Sequence, residues 1–507
     1  MRHFPLLAST ATAALICATP ALAEISAEDV WANKIALVAA MGGQMTATTT
    51  RDDNHLMIGE TTTSFTLPFD AGSLRLVTSG VTLTENADGT VAVEYPPTIE
   101  GALAIDGPDD LLASVKFSVG AEGYSTLAMG VPGDIGYSYV LDKATFRVSD
   151  LVVPETPDMS LVMSSVISGA SGSYHVTEGD LMQIRTEGTT GDMLFEMETT
   201  DDLGLVSTST LTISGGTNAA TMTIPTGKVS ILNLSQALRD GLALTFNAQG
   251  ARVETSEKTS LDETLTMVQK YGYVTDTIDY KLDHSGLVAS GRNSDIWMEF
   301  EVPGYLPLPI KATADAITGS LTLPLNKTDG LADASLGMSV EALSVDESLW
   351  SMIDPDAQLP RDPANLTLDI SGQIALLMDL LDINALMALT PDGDTPAQMH
   401  KLTLTTFDLD MVGTALSATG AFAFDNTDWG TFPGFPAPDG TVDIHVSGAD
   451  TLMDTLVALG LLSKEDVTGA RMMLGLFAIP GADEDTLTST IEIKPDGQIL
   501  ANGQRLQ

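Results

Sequence analysis

Residues 81–95, VTLTENADGTVAVEY, read as a complete β-hairpin. Val81 and Leu83 alternate with Thr82 and Thr84, the turn Asn86-Ala87-Asp88-Gly89 reverses the chain, and Val91, Val93 and Tyr95 resume the alternation. A period of two with threonine on the second face describes an antiparallel strand pair with one wet side. The same texture runs from about residue 45 to 232, with turn signals about every ten residues. Leu211 and Ile213, then Gly215-Gly216, then Met222 and Ile224 predict a second hairpin. A parallel sheet would need helical crossovers, and this region has almost none.

Beyond residue 232 helices enter. Leu234, Ala237, Leu238 and Leu242 predict one, and Leu261, Leu265, Val268 and Tyr271 another, with Ser260 and Glu263 as a capping box. Strands return at Ile296–Val302 and Leu321–Leu325. A short helix is expected over 346–353, an apolar one over 373–389, one around Leu452–Leu459 and one from Ser463 to before Pro480. The chain opens its folded part with a helix over 26–41, capped by Ser26. Leu402 and Leu404 lie on one parity and Phe407, Leu409 and Met411 on the other, so a bulge is expected between them. The triplets Thr66-Leu67-Pro68, Thr223-Ile224-Pro225 and Thr322-Leu323-Pro324 place proline at strand ends.

Four segments follow. Residues 1–23 read as a removable export signal: Arg2 and His3, an apolar run, then Ala21-Leu22-Ala23, with cleavage expected after Ala23. Residues 24–232 form an N-terminal β-rich half with a leading helix, 233–272 a helical punctuation, and 273–507 a C-terminal β-rich half with several helices. The whole also reads as one continuous domain. Cys17 is the single cysteine and leaves with the signal, which excludes disulfides and thiolate chemistry and points to a bacterial periplasm. Acidic residues number 68 against 23 lysines and arginines, a net charge of −45 that argues against nucleic acid and against charge-driven docking on anionic lipid headgroups. No second apolar span is present, and 5% aromatics is too few for the girdles of an outer-membrane barrel.

The densest cluster of unusual residues is 350–363, WSMIDPDAQLPRDP. It resembles the W-x-x-x-D-P-x-x-x-L-P-R-D-P pattern of exported bacterial proteins grouped as domain of unknown function 2125. The closing phrase DGxxxxNGQxL, Asp496 through Leu506, is similar to that family's ending. The resemblance covers most of the chain after the signal. It implies export and a β-rich fold, and it carries no activity.

The residues themselves present no catalytic constellation. The six histidines are scattered and no H-E-x-x-H occurs. Ser171, in GASGS, misses the nucleophile-elbow pattern, and His175 nearby reads as a loop histidine. Asp408 with Asp410, and Glu299 with Glu301, are acid pairs on one strand face and read as solvated. The loop DWGTFPGFPAPDG, 428–440, offers Trp429, Phe432 and Phe435 as candidate contacts for a ligand or partner.

The expected fold is mainly β (α+β): a large curved antiparallel sheet, groove-like, with short helices packed on one side and at the ends. Groove, barrel and filled sandwich stay open. The expected function is that of a non-enzymatic exported envelope protein. It would bind or shuttle a lipid or other apolar ligand, with 22 methionines to adapt to acyl chains, without a cofactor or metal. The alternative is a structural or protein-interaction scaffold of the periplasm with no ligand groove.

Overall fold

The computed structural model describes residues 25–67, 71–108, 110–156, 159–201, 204–230, 233–261, 265–389 and 395–506. The expected export signal with its expected cleavage point, Pro68 of the first proline triplet and Glu263 of the expected capping box lie outside these residues. Strand accounts for 62% and helix for 12%, and the 28 strands among the described residues join one antiparallel sheet. Its order is an up-and-down meander of rungs, each made of one long strand or of two shorter ones, and each rung lies beside the rungs next to it in the chain.

Several rungs of this meander are two strands end to end. Leu181–Thr189 and Asp192–Thr200 both pair with the long strand Ser160–Thr177, one with each half. Val206–Ser214 and Thr217–Pro225 continue that arrangement on the next rung, and Ala243–Gln249 with Arg252–Leu261 on the one after. The rung closes on Leu265–Asp283, again unbroken. The interruptions line up from rung to rung as a transverse crease. It passes through Gly169, Thr190-Gly191, Gly215-Gly216, Gly250-Ala251 and the register shifts at 272–277. The chain stays hydrogen-bonded across it: Thr190 N–H donates to Gly216 O (3.0 Å) and Gly250 N–H to Thr275 O (2.7 Å).

The crease changes the parity of the apolar residues. In Asp134–Val152 the inward set is Ile135, Tyr137 and Tyr139 before the break, and Ala144, Phe146 and Val148 after it. In Gly286–Glu301 it is Leu287, Ala289 and Gly291, then Met298 and Phe300, with Asp295 at φ 51° between them. One extra residue in a strand puts two successive side chains on the same side. The shifted parity therefore keeps the apolar set on one face. The expected bulge between Leu404 and Phe407 is present, and it is one instance of this general device.

Six helices stand among the described residues. Helix α1, Ala27–Ala40, has the expected Ser26 capping box. It buries Ala27, Val30, Val38 and Ala40, and the main core cluster forms where its apolar side meets Leu56, Ile58, Val81, Leu83, Val91, Val93, Ala128 and Ile135. Helix α2, Leu234–Arg239, and α4, Ile383–Met387, adjoin each other at one margin of the sheet. Arg239 pairs with Asp379 (2.6 Å) and Asn233 donates to Asp382 (2.7 Å). Helix α3, Glu347–Ile353, and α5, Ala449–Ala458, follow strands that end at the opposite margin, and α6, Lys464–Phe477, follows α5.

Three local expectations are corrected. The segments around Leu211 and Met222 are not a hairpin but collinear halves of one rung, because Gly215 (φ 69°) and Gly216 (φ 109°) form a crease step rather than a reversal. Residues 265–272 are strand rather than helix. Val268 pairs with Glu301 and Tyr271 with Met298 on opposite faces, a spacing of three that imitates a helical stripe. Most of 373–389 is not helical either. Ile374 and Leu376 extend the strand Ala364–Leu376 and are buried, and a register shift at Gln373/Ile374 hides the alternation.

The crease makes a testable distinction between two of its glycines. A Cβ at Gly191 would lie 1.5 Å from Ser168 O, whereas one at Gly169 meets nothing within 4 Å. Gly169→Ala should cost about 1–2 kcal/mol from its positive φ alone, and Gly191→Ala clearly more. Urea unfolding followed by circular dichroism checks the order.

Candidate functional site

The register aligns the apolar face into rows that cross the sheet. One row runs Tyr137, Tyr174, Thr186, Ala220 and Phe246. It continues Tyr280, Ala289, Leu321, Leu336, Ile370, Leu404, Gly420, Val442 and Ile491. A parallel row carries Ile278, Gly291, Gly319, Met338, Leu368, Phe407, Ala418, Ile444 and Ser489. The opposite face at these strands is Ser320, Ser335, Ser371, Thr403, Asp369, Thr419, Asp443, His445 and Thr488. Directly opposed side chains lie about 5 Å apart, so the rows form a largely apolar strip, with Thr186 and Ser489 as its polar members.

This strip is treated differently along its length. Under α1 it is sealed. Asn33 is 2% exposed; it accepts from the Tyr137 hydroxyl (2.9 Å) and donates to Glu178 (2.6 Å). Tyr137 stacks on Tyr174 with centroids 4.4 Å apart, and burial pushes both phenols well above their ordinary pKa. Beyond α1 the strip is bare over most of its length; at its far end Ser489 is buried and donates to Phe477 O at the end of α6. The strands Ala332–Val345, Ala397–Met411 and Thr414–Asp425 contain no fully buried residue. Leu336 is 47% exposed and Tyr280 46%. An open depression of ≈ 430 Å³ lies here, lined by Ile278, Tyr280, Ile317, Leu321, Leu336 and Met338. From Phe246 to Ile491 the uncovered floor spans nine strand-to-strand steps, or roughly 43 Å at about 4.8 Å each.

The three aromatic candidates sit at one margin of this floor, in the loop joining Thr414–Asp425 to Ala437–Ser447. Trp429 and Phe435 are exposed and Phe432 is half-buried. The loop is ordered by its own acids. Asp428 accepts from the Gly430 and Thr431 amides (2.9 and 3.0 Å) and from the Thr431 hydroxyl (2.7 Å). Trp429 Nε1–H donates to Asn426 O (2.9 Å), which fixes the indole with its ring outward. The floor itself escaped the sequence reading. Each strand shows its alternation, but only the register shows which residues of successive strands stand side by side.

Residues 235–505 match a family described as uncharacterized protein conserved in bacteria, DUF2125. The chain belongs to this family. No curated protein matches the chain. The matched span contains the uncovered floor, the aromatic loop and helices α3 to α6. The strands under α1 precede it.

The Trp350–Pro363 signature is a self-contained knot within that span. Asp354, fully buried, caps a turn by accepting from the Gln358 and Leu359 amides (2.9 and 2.8 Å). Burial pushes its carboxyl up, but those two amides and the Arg361 charge prevail and hold it below the ordinary value. Arg361 lies 5.5 Å over the Trp350 ring, donates to Asp354 O and pairs with Glu347. Glu347, Trp350, Asp354 and Arg361 are turned onto one another, which makes the segment a brace between α3 and the strand after it.

The remaining polar candidates are dispersed. His175 bonds Asp134 (2.7 Å), while Ser171 bonds Thr189 instead. Glu299 is held by Lys270 and Lys311, and Asp408 and Asp410 are exposed. No group of three His, Cys, Asp or Glu able to hold a metal ion occurs among the described residues.

The loop should show a pH signature. The Thr431 hydroxyl and the Thr431 and Gly430 amides hold Asp428 below its ordinary value. Its contribution is therefore complete above the unfolded value of about 3.9 and is lost as pH falls through the lowered folded value. Hydrogen exchange at Gly430 and Thr431 should accelerate over that range, and Asp428→Ala should abolish the protection at neutral pH with little change in Tm.

Proposed function

We propose that the protein is a non-enzymatic component of the bacterial envelope that holds lipid acyl chains, or an apolar ligand of similar form, on the uncovered floor. The observation that carries this reading is that three of the floor strands, Ala332–Val345, Ala397–Met411 and Thr414–Asp425, hold alternating leucine, methionine and phenylalanine yet bury none of them fully. Leaving such side chains in water costs about 1–3 kcal/mol each, and a ligand that covers them recovers it. The chemistry favours alkyl chains over a protein partner. Protein interfaces carry about one hydrogen bond per 100–200 Å², and the two floor rows offer few polar side chains to make them. A bilayer's hydrocarbon core is about 30 Å thick, so one chain spans roughly 15 Å. The floor of roughly 43 Å thus accommodates two or three chains end to end across the strands.

An envelope location is part of the proposal. The signal-like residues 1–23 and the absence of cysteine after Cys17 support it. Trp429, Phe432 and Phe435 are proposed as rim contacts at the floor's margin. Native mass spectrometry of protein gently extracted from the envelope tests the reading. More than one co-purifying lipid per chain is expected. Leu336→Glu with Ile370→Glu should at least halve that occupancy with unchanged circular dichroism. A clean apo mass would reject lipid binding and leave the scaffold reading in its place.

A further inference from the structure

We infer that helix α6 is a membrane-docking element at the open end of the floor, one that engages a neutral lipid surface. The inference rests on the floor reading above for what passes over it, but its observations are its own. A helix on a protein surface ordinarily turns its apolar stripe inward and its charges outward. Helix α6 does the reverse over its last two turns. Val467 is buried, while Met472, Met473, Leu476 and Phe477 are 67%, 62%, 59% and 41% exposed. The spacings 472/476 and 473/477 put these four on one side of the helix. Ile479, at 50%, extends the ridge past the helix end. Isolated exposed apolar residues are ordinary; a contiguous set marks an interaction surface.

The exposure does not come from loose attachment. Ser463 and Asp466 form a capping box at the helix start. Arg471 pairs with Asp450 (2.8 Å) and Asp454 (3.0 Å) of α5. At the far end the Ser489 hydroxyl and the Asn502 side-chain amide both donate to Phe477 O (2.5 and 3.0 Å). Ser489 closes the floor row that runs through Phe407, Ala418 and Ile444. The apolar ridge is therefore stapled to the last long rung of the floor and continues it, whereas the opposite end is sealed by α1.

The ridge is convex and rich in methionine, whose flexible side chain suits a fluid surface better than a shaped protein groove. Exposed acids frame it: Glu465 and Asp466 at the helix start, Asp483 and Glu484 after its end. These repel anionic headgroups and leave neutral ones as the match.

Flotation with phosphatidylcholine vesicles, alone or with one-third phosphatidylglycerol, tests the inference on the full chain. The wild type should float with phosphatidylcholine, and less with the anionic mixture. Met473→Glu with Leu476→Glu should lower flotation at least fivefold while circular dichroism and Tm stay unchanged. Ile370→Glu in the floor should float like the wild type but carry off less lipid. Wild type left at the bottom of the gradient, or a double variant floating normally, would overturn the docking role. So would a wild-type dimer in analytical ultracentrifugation that the double variant splits, since a second copy would then occupy the ridge. Flotation through α6 without lipid uptake would uphold docking and remove the floor reading.

Discussion

Strand after strand in this sheet carries an inserted residue or a short break near its middle, and that insertion keeps one face apolar on both sides of it. Side chains alternate with a period of two, so an added residue exchanges the faces unless the sequence exchanges its pattern at the same point. Here the sequence does: Tyr137 and Tyr139 give way to Ala144 and Phe146, and Leu404 gives way to Phe407. A one-residue slip would send the whole apolar set of a strand to the polar side. Register, crease and pattern therefore fix one another. The rows that form the floor exist because this agreement is kept from rung to rung.

Along that one face the protein solves the same surface problem in two ways. At the N-terminal end α1 covers the apolar rows, and a network of buried Asn33 and Tyr137 with the exposed Glu178 locks it down. Further along, the helices stand at the margins and the rows are left bare. The difference lies in where the connections fall. Helices α2 to α6 leave and rejoin the sheet at strand ends, and their polar anchors, such as Arg239 to Asp379, hold them there.

Much of this was legible in the amino-acid sequence where the signal is local. Hairpins with polar turns, the Ser26 cap, the helix start at Ser463, the short helix before Asp354-Pro355 and the parity change at Leu404–Phe407 were all readable from a few neighbouring residues. The errors arose where a local signal has two meanings. Gly215-Gly216 looks like a reversal and is a crease step. Leu261 to Tyr271 is spaced like a helix, but its described part is a strand showing both faces. The apolar run after Gln373 begins as the end of a strand. The candidate site was legible only in part. The loop of Trp429, Phe432 and Phe435 declares itself by composition, whereas the floor depends on register between residues far apart in the chain.

The meander has a further consequence for how the molecule holds together. Each strand touches mainly the two beside it, so cohesion is a chain of nearest-neighbour terms rather than a shared centre. A hairpin added or removed away from α1 would change the length of the floor by two strand spacings and leave the other rungs as they are. The span of the apolar surface is thus set by the number of hairpins, and evolution can adjust its reach without redesigning its interior.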